Sequence, residues 1–225
     1  MAIPPPCHDC RLELRSRWSQ TWRRLALPEP PLWDDLCDRY TEPHRAYHTL
    51  HHLSECFSWF DRAHNLAQSP GAVELALWFH DVVYDPRRAD NEAQSAAWAS
   101  RVIDGVGGGP VLQQTVHAMI LATQHHSTLG TGDGLLVIDS DLAILGAAPG
   151  RFAQYEAQIR QEYAWVPEAV FCQKRAEVIA AFLARPSIFT LGLFRARLEE
   201  QARQNLARSL ARLRPEPGAD PTPPG

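Results

Sequence analysis

The segment ELALWFHDVVYD sets an imidazole beside a carboxylate, His80 and Asp81, within a run that is otherwise apolar. Spacing of three and four residues places Val73, Ala76, Leu77, His80 and Tyr84 on one helical face, so His80 is expected to point inward. Asp81 follows about 100° further round the helix. A carboxylate and an imidazole buried together cost free energy unless a cation or a donor satisfies both. A divalent metal does so, and so does a plain His–Asp hydrogen bond or a capping role for Asp81.

Other residues of the same chemical kind follow a pattern. The chain has 10 histidines, and nine of them fall between His44 and His126. In PHRAYHTLHHL, His44, His48, His51 and His52 gather at a predicted helix start. His48 and His52 are four apart and share a face, a spacing that can hold a metal. Position 49 is Thr49 where a zinc peptidase HExxH would need Glu, which argues against that chemistry. Two of these four histidines are expected to be surface or capping residues. His125 and His126 close the segment ATQHH, where imidazoles could cap helix carbonyls or ligate a metal. In LLVIDSDLAILG, Asp139 and Asp141 interrupt an apolar stretch. One is expected to cap a helix over Ser140–Leu145, which leaves the other as a ligand candidate.

These residues need elements to position them, and the pattern is helical almost throughout. Spacing predicts a helix containing Leu14, Trp18, Trp22 and Leu25, then helices over Leu32–Arg39, Tyr47–Ala67, Pro70–Tyr84, Asn91–Ile103, Val111–His125, Arg151–Ala164, Glu168–Ala184 and Arg195–Leu213. The only strand-like piece is Leu135–Ile138. The expected fold is all-α, an irregular bundle of about eight to ten helices. The tryptophans at 59, 78 and 98 read as core. With 225 residues, one domain is expected over 1–214, with a Pro-rich disordered tail over 215–225.

Composition narrows the function. A net charge of -4 argues against general nucleic-acid binding, which needs a basic surface. No apolar run reaches the roughly 18 to 20 residues of a membrane helix, and the first residues lack the pattern of a secretory signal. Five cysteines, an odd number, with Cys37, Cys56 and Cys172 alone in helical stretches, point to reduced thiols and a cytoplasmic home. Cys7 and Cys10 form a CxxC without a second pair to complete a zinc site, and they read as terminal filler.

In order, His48, His80-Asp81, His125/His126 and Asp139/Asp141 sit on separate predicted helices. With RAYHTLHHL, FHDVVYD, DNEAQSA, ATQHH, DSDLAILG and IRQEYAWV, the chain resembles the HD superfamily of metal-dependent phosphohydrolases, and within it a bacterial group of predicted members. The resemblance covers a motif core of about 40–185. It implies an HD-domain-like bundle in which His48 is the first ligand, because Arg45-x-x-His48 matches the usual setting. It implies His80 and Asp81 as the central pair and Asp141 or Asp139 as the last ligand, with Asp141 favoured. His125 or His126 would match histidines that some members use for a second metal. A clear full set of these is missing, so one metal per chain is expected rather than two.

A mixed N/O ligand set suits Mn, Fe, Co, Ni or Zn better than Mg or Ca. Such an ion lowers the pKa of water from about 15.7 towards 7. Asp81 could be both ligand and proton acceptor. A histidine among His51, His52, His125 and His126 could protonate the leaving oxygen, with His52 and His126 foremost. Arg45, Arg87 and Arg88 could clamp phosphate, and Glu92 could cap its helix and orient a ligand. The expected function is hydrolysis of a phosphoester of a small metabolite, nucleotides included. The alternatives are a non-catalytic metal- or nucleotide-binding HD module and a di-iron HD oxidoreductase.

Overall fold

Proline marks where several helices begin. Pro70, Pro110 and Pro149 each occupy a first helical turn, where the missing N–H breaks no hydrogen bond. The structure is a computed structural model that describes residues 8–124 and 132–213. Among the described residues every regular element is helical: α1 (His8–Arg24), α2 (Trp33–Arg39), α3 (Leu50–Ala63), α4 (Pro70–Phe79), α5 (Asn91–Gly105), α6 (Pro110–Thr123), α7 (Gly132–Asp141), α8 (Pro149–Glu162), α9 (Glu168–Leu183) and α10 (Gly192–Leu213). Short 3-10 turns cover His64–Leu66 and Leu142–Gly146. The all-α bundle expected from spacing is the observed fold. No described helix is long and apolar enough to cross a membrane.

The helix α4 is the hub, with every residue from Gly71 to Phe79 buried. It packs against α1, α3, α5, α6 and α7. That position explains a sequence apolar nearly all round. Aromatic rings lock α1 onto it. Trp18 meets Trp22 and Trp78 edge-on, with centroids 5.3 and 5.4 Å apart. The Trp78 indole donates to Thr21 Oγ1 at 3.1 Å, and Tyr40 Oη donates to the Trp78 carbonyl at 3.0 Å. Trp78 is core as expected, whereas Trp59 and Trp98 are only partly buried against it.

Three expectations about local structure change. The strand-like run Leu135–Ile138 lies within α7, which packs on α3, α4 and α6. Burial against several neighbours removes the polar alternation that would have identified a helix face. The predicted helix over Ser140–Leu145 is instead the end of α7 followed by the 3-10 turn, and neither aspartate caps it through its side chain. Finally, α4 stops at Phe79 rather than Tyr84, with His80 N–H donating to the Ala76 carbonyl at 2.9 Å. The β-branched pair Val82-Val83, with Pro86 beyond, disfavours further helix. His80 and Asp81 therefore sit where the backbone turns away, free to aim side chains differently. Cys7 and the 215–225 tail lie outside the described residues.

Gly146 is held by packing. A Cβ there would come within 2.6 Å of Leu198 Cβ and 2.8 Å of the Leu198 carbonyl oxygen. The 142–146 turn thus reaches α10 at a distance only glycine permits.

Candidate metal centre

Three chain segments converge. From α3 come His52 and Cys56, one turn apart; the end of α4 gives His80 and Asp81; the end of α7 gives Asp141. His52 Nε2 lies 3.1 Å from His80 Nε2. Asp81 Oδ2 is 3.1 Å from His80 Nε2 and 3.4 Å from His52 Nε2. Asp141 Oδ1 is 3.2 Å from His52 Nε2 and 3.6 Å from His80 Nε2. One ligand atom each from His52, Cys56, His80 and Asp141 fall within 4.8 Å of one another, so this group could hold a metal ion. The imidazoles are buried, and the carboxylates of Asp81 and Asp141 are partly open to solvent.

The hydrogen bonds around the group suit a cation. His80 Nδ1 lies 2.9 Å from the Leu77 carbonyl, which can only accept, so Nδ1 carries the proton. In the neutral ring Nε2 is then a bare donor atom turned towards the carboxylates. Burial alone would lower the pKa of both imidazoles, yet both are raised well above the usual value. For His52 the Cys56 and Tyr47 side chains and the Asp141 and Asp81 carboxylates outweigh burial; for His80 the two carboxylates do. Burial likewise opposes the charge of Asp81, but His80 and His48, with bonds from His52 and His80, hold its pKa well below the carboxylate range. The centre therefore favours positive charge among its side chains. Two nitrogens and two carboxylates fit a transition ion, with a thiol in reach as a softer donor.

His48 lies outside this group. Its Nδ1 is 2.7 Å from Glu162 Oε2, and its ring centroid is 5.9 Å from that of His52. The first histidine of the cluster is His52, which was expected to carry a proton. The reason lies in helix phase. His52 is inside α3 and faces the core, whereas His48 precedes the Thr49 cap. Of the other histidines of that segment, His44 and His51 are exposed. His125 and His126 lie outside the described residues.

Asp141 and not Asp139 joins the cluster. Asp139 is fully buried and accepts N–H bonds from Thr190, at 3.1 Å, and Leu191, at 2.7 Å. It anchors the loop before α10. Burial raises its carboxyl pKa to about 6, against the lowering effect of those bonds.

Arg45 is no phosphate clamp. Its side chain is fully buried, donating to the carbonyls of His48, Asp81 and Val82 at 3.0, 2.7 and 3.1 Å and to Glu42 at 3.1 Å. It ties the His48 turn to the His80-Asp81 turn. Arg88 is paired in parallel with Asp90 at 2.8 and 2.7 Å. Arg87 stacks over Trp165, with Cζ 5.3 Å from the ring centroid. Arg88 and Glu92 do line the cleft described below, and Arg87 is not among its walls.

Glu162, which by its sequence neighbours reads as part of a salt-linked wall with Arg160 and Tyr163, is instead a central residue of the site, bonded to His48. Its side chain is buried, and Oε1 accepts the N–H groups of Ala46, Tyr47 and His48 at 2.7, 2.8 and 3.0 Å. Oε2 also accepts Tyr84 Oη at 2.8 Å. Burial would raise its pKa, but His48 and the backbone donors prevail and lower it to about 2. A signal existed: Phe152, Tyr155, Ile159 and Glu162 form one buried stripe of α8, and the last member is an acid. Cys56 was visible in the same way, one turn after His52 on the buried face of α3.

A cleft of about 960 Å³ opens beside His48, Asp81 and Asp141. Fold and site together define an all-α protein with a buried His/Cys/Asp group, able to hold a metal ion, next to a large cleft. No family model matches the chain, and neither curated proteins nor solved structures give a significant match.

Proposed function

We propose that the chain is a metal-dependent phosphohydrolase of the HD type, acting on a phosphoester of a small metabolite. The observation that supports this reading is the meeting of His52, His80, Asp81 and Asp141 beside a cleft of substrate size. In this reading these four hold the ion, with Cys56 in reach, and the order His, His-Asp, Asp is kept with His52 in first place. A bound divalent transition ion supplies Lewis acidity and acidifies water at neutral pH. Asp81, ionised by its histidine neighbours, accepts the proton of the attacking water at its carboxylate. His48 lines the cleft with Nδ1–H donating to Glu162, so as an imidazolium it would give its Nε2 proton to the leaving oxygen and be left as the neutral ring. Glu162 positions that ring. Arg88 and Glu92 stand among the cleft walls, where a substrate passes.

The test pairs metal content with turnover. Protein purified without chelator should carry about one transition ion per chain, a ratio set by the one ligand cluster found among the described residues. Phosphate release from a panel of phosphoesters, run in parallel with Mn, Co, Ni and Mg, should disappear in D81A. A chain that binds no transition ion even after reconstitution, or a fully active D81A, would overturn the reading.

A further inference from the structure

Another part of the cleft wall, built by α9, is of a different character from the ligand cluster. Val170, Phe171, Val178 and Phe182 of α9 line it. Only Ile179 of α9 is fully buried, and Val170 and Val178 are 48% and 46% exposed. So α9 keeps apolar side chains on the cleft rather than in the core. Within this wall lies Arg175. Its Cζ sits 5.2 Å from the centroid of the Tyr155 ring, and Nη2 donates to Tyr155 Oη at 3.0 Å. No carboxylate among the described residues pairs with Arg175. The nearby acid, Glu156, is taken by Arg212 at 2.8 Å and by Ser209. A guanidinium has five donors in a planar fork that matches phosphate oxygens. Here most of that fork is unused at the side of an apolar cleft.

A second observation points to the same place. Tyr47 also lines the cleft, and its buried Oη has no hydrogen-bond partner among the described residues. An orphaned buried hydroxyl is uncommon in a folded chain and marks a site where a missing partner fits. The ring of Tyr47 lies 4.7 Å from that of His52 and 4.6 Å from that of Tyr155. Packed side chains thus run from the ligand cluster through Tyr47 and Tyr155 to Arg175.

We propose that Arg175 and Tyr47 Oη form the anion-gripping part of this cleft, and that its ligand is a phosphate monoester with a large aromatic or hydrocarbon body laid against α9. This rests on the hydrolase reading above and names its substrate class. The contrast is with sugar-like phosphates, whose hydroxyls would find few partners on the α9 wall.

Calorimetric titration of the full-length, Mn-loaded chain tests it without needing turnover. Phenylphosphonate and methylphosphonate are the probes, since neither is hydrolysed. The wild type should bind phenylphosphonate about tenfold or more tightly than methylphosphonate, because only the former covers the apolar wall. R175M should weaken phenylphosphonate about tenfold or more, the usual effect of losing a charge-assisted bond, and Y47F should weaken it less. If R175M does not fold, judged by its thermal melt, R175K carries the test, since it keeps charge but loses the fork. Equal binding of both probes, no binding to the wild type, or affinity unchanged in R175M or R175K overturns the proposal. Arg175-dependent binding in a chain that releases no phosphate from any ester would end the hydrolase reading alone. Hydrolysis with probe affinity indifferent to Arg175 would end this one alone.

Discussion

His52 and His80 are 28 residues apart in sequence, and their Nε2 atoms stand 3.1 Å from each other. Two buried imidazoles at that distance need a shared proton or a shared cation. Neither His52→Ala nor His80→Ala should retain a stoichiometric transition ion, whereas His48→Ala should retain it. Added Mn or Zn should raise the melting temperature of the wild type and of H48A, since a ligand of the folded state stabilises it by mass action. Metal loss in H48A equal to that in H52A would place His48 among the ligands after all.

The aspartates of DSD separate by function. Asp141→Asn should lose metal with little change in the apo protein's stability. Asp139→Asn should keep metal, because an amide oxygen can still accept the Thr190 and Leu191 N–H groups. Asp139→Ala should cost about 1–3 kcal/mol in urea unfolding, by leaving those donors unsatisfied. Metal analysis of D139N and D141N decides the assignment, and the same metal content in both would refute it.

Glu162 gives the fold an acid dependence of definite sign. Its folded pKa of about 2 lies below the ordinary carboxylate value. Its stabilisation is therefore complete above the unfolded value of roughly 4.3, and it fades as pH falls towards 2. The depression corresponds to roughly 3 kcal/mol. Glu162→Gln should be clearly less stable than wild type at pH 7, and the gap should narrow steadily towards pH 3. A gap that stays constant with pH would show that the charge contributes nothing. Since the same carboxylate holds His48, E162Q should also lower kcat for phosphoester hydrolysis more than it raises KM.

Gly146 links packing to the site. Gly146→Ala places a methyl against Leu198, including its backbone oxygen, so relief requires moving α10 or the 142–146 turn. Overpacking of this kind costs about 1–3 kcal/mol. Because that turn follows Asp141 directly, metal affinity should fall along with stability. A G146A protein with wild-type melting temperature would show that the contact yields easily.

Much of this protein was legible as a string of residues. Three- and four-residue spacing of apolar side chains specified the helices, and prolines at 70, 110 and 149 marked starts. The polar types embedded in apolar runs, His80-Asp81 and the DSD triplet, pointed to the segments that carry the ligands, because an ionisable group in such a run needs a partner. Other features were decided only by the tertiary structure. Whether His48 or His52 enters the cluster depends on where α3 begins, and Asp141 was separated from Asp139 by the direction of the last turn of α7. Arg45 looked like a phosphate clamp until carbonyls of two distant turns were seen to occupy it. Glu162, more than 100 residues from His48, has no local signature that names its partner. The physical reason is the same each time. Hydrophobic periodicity is a local property that fixes which face turns inward. Which polar groups then meet depends on how the buried faces pack, and each of these groups is held by partners from another part of the chain.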